Sequence, residues 1–236
     1  VIPSVIIKKK NTNIFTIHIQ DPKISHKNFN VIIAPEHDDL KGENVISSKG
    51  AIHYITQLEI ESAKNYLIDK IKDANIVSII LGGPNKYYSF SDEELIQVFK
   101  KIKTSFISQG YKALIIPSMR TPKRIIDLAM KEFITEGFVV NHVNKQAYLS
   151  ALALATNIVV TCDSTSMISE AAVSGKPIFV AHMKPKKNNY RFKKFFRLFK
   201  EMGITKELGE KIDNWTYSRF NEADRIATLM RSKLIN

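Results

Sequence analysis

The sequence predicts an α/β fold built on a doubly wound parallel sheet. Three observations carry the prediction. Short β-branched apolar runs recur at residues 75–81, 112–116, 137–140, 157–161 and 177–181. Segments with helical spacing and helix-start signals separate them. Each run is apolar throughout, the pattern of strands covered on both faces. Ligands of such sheets bind beyond the carboxyl ends of the strands.

The first 55 residues read differently. Residues 14–19, 31–34 and 44–47 look like strands, with little room for helices between them. Three strands with few helices make a poor independent unit. The stretch is therefore expected to be the second half of another α/β domain whose first half is missing. The start at Val1, within what reads as a structural element and without a leader, points the same way. Thr56-Gln-Leu-Glu59 is a capping box for a helix reaching about Lys72. The run 75–81 stops at Gly82-Gly83-Pro84. Ser91-Asp-Glu-Glu94 is a second capping box, and Leu95, Phe99, Ile102 and Phe106 line the helix it opens, which Gly110 ends. After 112–116, Thr121-Pro122 starts a helix with Pro at its first position. An apolar helix, 147–155, follows the strand 137–140. The strand 157–161 feeds a short helix, 166–174, closed by Gly175, and 177–181 is again a strand. Residues 221–234 form a final amphipathic helix behind Trp215-Thr-Tyr217.

Composition bounds the function classes. The 236 residues are 44% apolar and 25% charged, which excludes global disorder, collagen and coiled coil. No apolar run approaches the roughly 18 residues of a membrane span. The single cysteine, Cys162, has no internal disulfide partner, which fits a reducing compartment such as the cytoplasm. Net charge is +12, from 35 basic and 23 acidic residues. Residues 184–200 hold 8 of the basic residues and no acid, so the rest of the chain is only +4 (27 minus 23).

Four strand-end loops carry candidate chemistry. In Gly82-Gly83-Pro84-Asn85 the glycines would let a phosphate approach the backbone, though the loop also reads as a plain turn; it is neither a Walker loop nor GxGxxG. In Ser118-Met119-Arg120-Thr121-Pro122, Arg120 offers a fork of donors suited to a diphosphate. Thr161-Cys-Asp-Ser-Thr-Ser-Met-Ile-Ser-Glu170 has more hydroxyls than a helix cap needs. Asp163, Ser164, Ser166 and Met167 then mark an anion or sugar site, and Glu170 suits a ribose diol. In Pro35-Glu36-His37-Asp38-Asp39, His37 is either a general base or part of a polar turn. Zinc-ligand spacings, a Gly-x-Ser-x-Gly elbow and an Asp-x-Asp metal motif are missing, so no metal and no separate cofactor is expected.

The basic segment allows three readings, of which RNA binding has no recognisable module behind it. Phe192, Phe195, Phe196 and Phe199 fall at i, i+3, i+4 and i+7, with Arg191, Lys193, Lys194, Arg197 and Lys200 between them. Either the Phe face, with Lys193 and Lys194, lies on an anionic membrane, or the face packs in the core and leaves a solvated basic back. No module for specific nucleic-acid binding is present.

Taken in order, Ile19-Gln-Asp-Pro22, Val31-Ile-Ile-Ala-Pro-Glu-His-Asp38, Lys49-Gly-Ala-Ile-His53, Leu81-Gly-Gly-Pro-Asn-Lys-Tyr-Tyr-Ser-Phe90, Ser118-Met-Arg-Thr-Pro122 and Cys162-Asp-Ser-Thr-Ser-Met-Ile-Ser-Glu170 with Gly175-Lys-Pro177 resemble the mitochondrial-fission "elongated mitochondria" family nearly end to end. That family is similar to glycosyltransferases with two Rossmann-like domains, the GT-B type. The resemblance implies a truncated N-terminal Rossmann-like domain at 1–55 and a donor-binding C-terminal domain at 56–220. It also implies a last helix, 221–236, that crosses back. A nucleotide-sugar or nucleotide diphosphate would bind with Glu170 on the ribose, and a sugar would pass to a membrane-associated acceptor. Alternatively the fold serves a non-catalytic adaptor, as for the plant member, which recruits a dynamin-like GTPase. The expected location is the cytoplasm or the inner face of a membrane.

Overall fold

A computed structural model describes residues 1–11, 13–71, 75–209, 212 and 215–235, without the side chains of 232–235. Two parallel sheets organise them. The strands β1 (Ile17–Ile19), β2 (Val31–Pro35) and β3 (Val45–Ser48) form the smaller, in that order. The larger contains β4 (Ile76–Leu81), β5 (Lys112–Pro117), β6 (Gly137–Val139), β7 (Asn157–Thr161), β8 (Ile178–Ala181) and β9 (Thr205–Glu207), ordered β6-β5-β4-β7-β8-β9. Strand order reverses at β4, which pairs with both β5 and β7. That reversal is the switch point where an open α/β sheet leaves a crevice. Every residue of β4, β7 and β8 is buried, the polar Ser78, Asn157 and Thr161 included, as strands covered on both faces require.

Eight helices surround the sheets in the described residues: α1 (Ile2–Lys10), α2 (Gln57–Ser62), α3 (Asp92–Ser105), α4 (Lys123–Glu132), α5 (Lys145–Leu154), α6 (Thr165–Ala171), α7 (Tyr190–Glu201) and α8 (Glu222–Ile235). Both capping boxes form, Thr56 with Glu59 and Ser91 with Glu94. The helix after Thr56 is shorter than its pattern suggests. It ends at Ser62, and two 3₁₀ turns carry the chain to Lys70. The cause lies in α5, where the buried Ser150 hydroxyl accepts from the Leu67 N–H at 3.1 Å and donates to the Lys64 carbonyl at 3.0 Å. Those contacts replace helical ones. The expected end at Lys72 lies outside the described residues. Helix α4 begins one residue late, with Pro122 at its cap, because the Thr121 hydroxyl turns instead to the Leu81 and Gly82 carbonyls.

Helix α8 lays Ile226 and Met230 on Val31, Ile33 and Ile46 of the small sheet. Its Glu222 accepts from the Lys49 N–H at 2.7 Å and pairs with Arg225. Helix α7 corrects the membrane reading of its aromatic face. Phe195 and Phe199 are fully buried, with ring centroids 4.1 Å apart, and Phe199 lies 5.1 Å from Phe220. Phe192 and Phe196 are half-buried against Tyr88 and His182. The face finds apolar partners within its own chain, at about 1.5–3 kcal/mol for each fully buried ring. Lys194 is drawn inward too, onto Asp39, and Arg191 onto Asp38, whereas Lys193 stays in solvent. Among the described residues no helix is long and apolar enough to cross a membrane.

A buried α7 face sets an expected cost. Phe195→Ala should lower unfolding free energy by about 3–5 kcal/mol in a urea titration. A change under 1 kcal/mol, roughly what a surface position gives, would return this face to solvent.

Candidate functional site

The carboxyl ends of β4, β5 and β7 bring three loops together around one side chain. Asp163, just past β7, has a fully buried carboxylate. It accepts from the Thr161 hydroxyl at 2.7 Å, the Gly83 N–H at 3.2 Å and Arg120 Nη2 at 2.7 Å. Its backbone carbonyl accepts from Asn85 Nδ2 at 3.1 Å. A carboxylate taken out of water needs such donors, and each neighbouring strand end supplies one.

This arrangement changes the role of several predicted residues. A Cβ on Gly82 would stand 1.9 Å from an Asp163 oxygen, and one on Gly83 would stand 1.9 Å from the Arg120 carbonyl. The Gly82 and Gly83 amides are buried and donate to Thr161 and Asp163. The two glycines admit the protein's own atoms. Asn85 is likewise internal, its Oδ1 accepting from the Tyr87 and Tyr88 amides at 2.7 and 3.0 Å. Asp163 is no ligand contact but an anchor for Arg120.

The other predicted donor residues share one groove of about 400 Å³ between α5, α6 and the β5–α4 loop. Ser118, Arg120, Ser164, Ser166, Met167 and Glu170 all line it. Ser164 caps α6 by accepting from the Met167 N–H, and Ser166 is exposed. The Arg120 side chain is 45% exposed, so donors remain beyond its bond to Asp163. Glu170 is half-buried, and Tyr148 donates to its Oε2 at 3.1 Å. Burial raises the Glu170 pKa, with the Tyr148 bond opposing, and burial also raises that of Tyr148. Sequence reasoning missed Tyr148, because its only signal was an apolar helix and its partner lies 22 residues away.

His37 lies outside that groove, in a cavity of about 300 Å³ between the small sheet and α6 and α7. Ser166 borders both spaces. His37 is 7% exposed, meets Phe195 edge-on at 5.6 Å and has Nε2 3.6 Å from Asp38. Burial pushes its pKa down while Asp38 pulls it up. Asp38 also holds Arg191, a contact between the small sheet and α7 that spacing could not reveal.

The family model for mitochondrial fission ELM1 matches residues 1–234. The chain belongs to the ELM1 family. It is 26% identical to an uncharacterised protein of Rickettsia prowazekii, over 97% of this chain and 75% of that one. It is 23% identical to mitochondrial fission protein ELM1 of Arabidopsis thaliana, over 99% of this chain and 61% of that protein. Among solved structures it is similar to the UDP-GlcNAc 2-epimerase of Methanocaldococcus jannaschii, with a TM-score of 0.54 and 12% identity, over 97% of this chain and 73% of that one. At that identity the likeness establishes the fold, which for this ELM1-family chain is α/β of the GT-B kind.

The anchor role of Asp163 predicts stability effects without any ligand. Gly83→Ala should cost about 1–3 kcal/mol through overpacking, and Asp163→Asn about 1.5–3 kcal/mol through lost charge-assisted hydrogen bonds. Chemical denaturation measures both. Wild-type stability in Gly83→Ala with loss of ligand binding alone would return the glycine to a phosphate role.

Proposed function

We propose that this ELM1-family chain binds a nucleotide-sugar in the groove between α5 and α6 and passes the sugar to an acceptor at a membrane surface. The observation that supports the reading is Glu170. Tyr148 holds one of its oxygens, while no described hydrogen bond reaches the other, which suits a vicinal diol such as ribose. Arg120, steadied by Asp163, has N–H groups left for a diphosphate, and Ser118, Ser164 and Ser166 add hydroxyls. In the transfer, the bond from the anomeric carbon to the diphosphate oxygen breaks, and its electron pair leaves with the diphosphate. A bond to the acceptor oxygen forms, and the acceptor's proton passes to a base. His37, whose cavity meets the groove at Ser166, is the proposed base, and burial favours its neutral form. The reading takes 56–220 as the donor domain, 1–55 as part of its partner domain and 221–236 as the helix joining them, on the cytoplasmic face of a membrane.

One observation favours a second reading, a non-catalytic adaptor that keeps the fold. The Gly82 and Gly83 amides, which a phosphate would seek, are already used within the protein. Thermal shift against a panel of nucleoside diphosphates and nucleotide-sugars separates the two. Stabilisation by a nucleotide supports the first, and none at millimolar concentration the second.

Binding should depend on two side chains. Glu170→Gln and Arg120→Ala should each weaken a nucleoside diphosphate by tenfold or more in calorimetry, as expected from about 1.5–3 kcal/mol per charged hydrogen bond. Folding raises the Glu170 pKa, so its ionised form grows as pH rises through that raised value. Wild-type affinity should therefore fall on acidification while the pH is still above 4.5, the ordinary carboxylate value. Run with a nucleotide-sugar, whose diphosphate has no terminal phosphate to titrate in this range, the same titration with Glu170→Gln should be flat.

A further inference from the structure

We propose that the outer face of α7 and the loop before it dock on the phosphate headgroups of an anionic bilayer by charge alone, with no side chain inserted. The proposal rests on the membrane placement suggested above but not on the donor groove.

Three features of the basic segment converge. With Phe195 and Phe199 in the core, the cations of 184–200 are displayed outward, and Lys184, Lys186, Lys187, Lys193 and Arg197 are exposed. Ion pairing does not account for them. Arg191 and Lys194 are taken by Asp38 and Asp39, whereas Arg197 has a single contact to Glu201 at 3.9 Å, and no ion pair of Lys193 is described.

The helix is also charged against its own physics. No acid of α7 itself sits in its first turn, where Asp38 and Asp39 meet Arg191 and Lys194 and Lys193 is left facing solvent. Lys193 and Arg197 stand at i, i+4, a spacing at which like charges repel. A layer of phosphates relieves that repulsion. Holding the small sheet accounts for Arg191 and Lys194 but not for Lys193 and Arg197.

The surface is preformed. The Lys186 N–H donates to the Tyr87 carbonyl at 2.7 Å, Tyr88 bridges Pro185, and Asn189 Nδ2 donates to the Tyr88 hydroxyl at 2.9 Å. Lys86 and Lys187 both lie over the Tyr87 ring, 5.0 and 5.1 Å from its centroid. Beside α7, a cavity of about 580 Å³ is lined by His182, Lys193, Phe196, Arg197, Lys200 and the carboxylate of Glu207. Burial lowers the His182 pKa against the pull of Glu207, which lies 2.7 Å from its Nε2. Each basic residue near an anionic leaflet strengthens partition about fivefold.

Vesicle sedimentation of the full chain tests this. Wild type should pellet with phosphatidylcholine vesicles that contain phosphatidylglycerol, not with phosphatidylcholine alone. It should be released near 0.5 M salt, where the Debye length is about 4–5 Å. Lys193→Gln with Arg197→Gln should bind at least tenfold more weakly yet melt at a higher temperature than wild type, because the like-charge repulsion is gone. That melt also shows the variant is folded. Glu170→Gln should pellet as wild type does, which keeps this outcome separate from the donor reading. The proposal falls if phosphatidylcholine alone suffices, if binding survives high salt, or if the double variant binds undiminished. It falls also if single-stranded RNA binds at salt concentrations that release the vesicles, which would make nucleic acid the partner.

Discussion

A carboxylate cannot leave water without donors, and Asp163 has left it completely. The structure answers with a hydroxyl from its own strand end, an amide from the loop after β4 and a guanidinium from the loop after β5. Three loops far apart in sequence are thereby held at hydrogen-bond distance. The two glycines follow from this, since any side chain there would occupy the space of the carboxylate or of the Arg120 backbone. The groove follows as well, because fixing Arg120 beside the start of α6 sets one wall opposite Glu170.

What the sequence revealed was local. Unbroken apolar runs announced β4, β5, β7 and β8, and the two capping boxes announced α2 and α3, because burial on both faces and backbone capping write their requirements into neighbouring residues. Short Thr205-Lys-Glu207 carries no such mark and became β9 only by lying beside β8. The truncation of α2 by Ser150, 83 residues from Leu67, was equally invisible. The candidate site divides in the same way. Six predicted residues share the groove, as expected for the strand ends of one sheet. The Gly-Gly loop left two readings open, because glycine marks close approach without saying what approaches.

The sheets are joined by charge as well as by apolar packing. Helix α8 uses both, seating Ile226 and Met230 on the small sheet while Glu222 caps the Lys49 amide. Helix α7 crosses on the other side with Arg191 on Asp38 and Lys194 on Asp39. One helix thus spends its cations in two ways, some clamping the small sheet and others facing outward.

Cys162 illustrates a different consequence of the same packing. It follows β7 directly, is fully buried, takes the Met183 N–H on its sulfur, and has its thiol pushed up to about 12 by burial. A thiolate is what alkylating reagents attack, so the native thiol is chemically silent. It is also the sole cysteine of the chain. Its labelling rate is therefore a clock for the opening of the large sheet at its centre, a built-in reporter that needs no engineered probe.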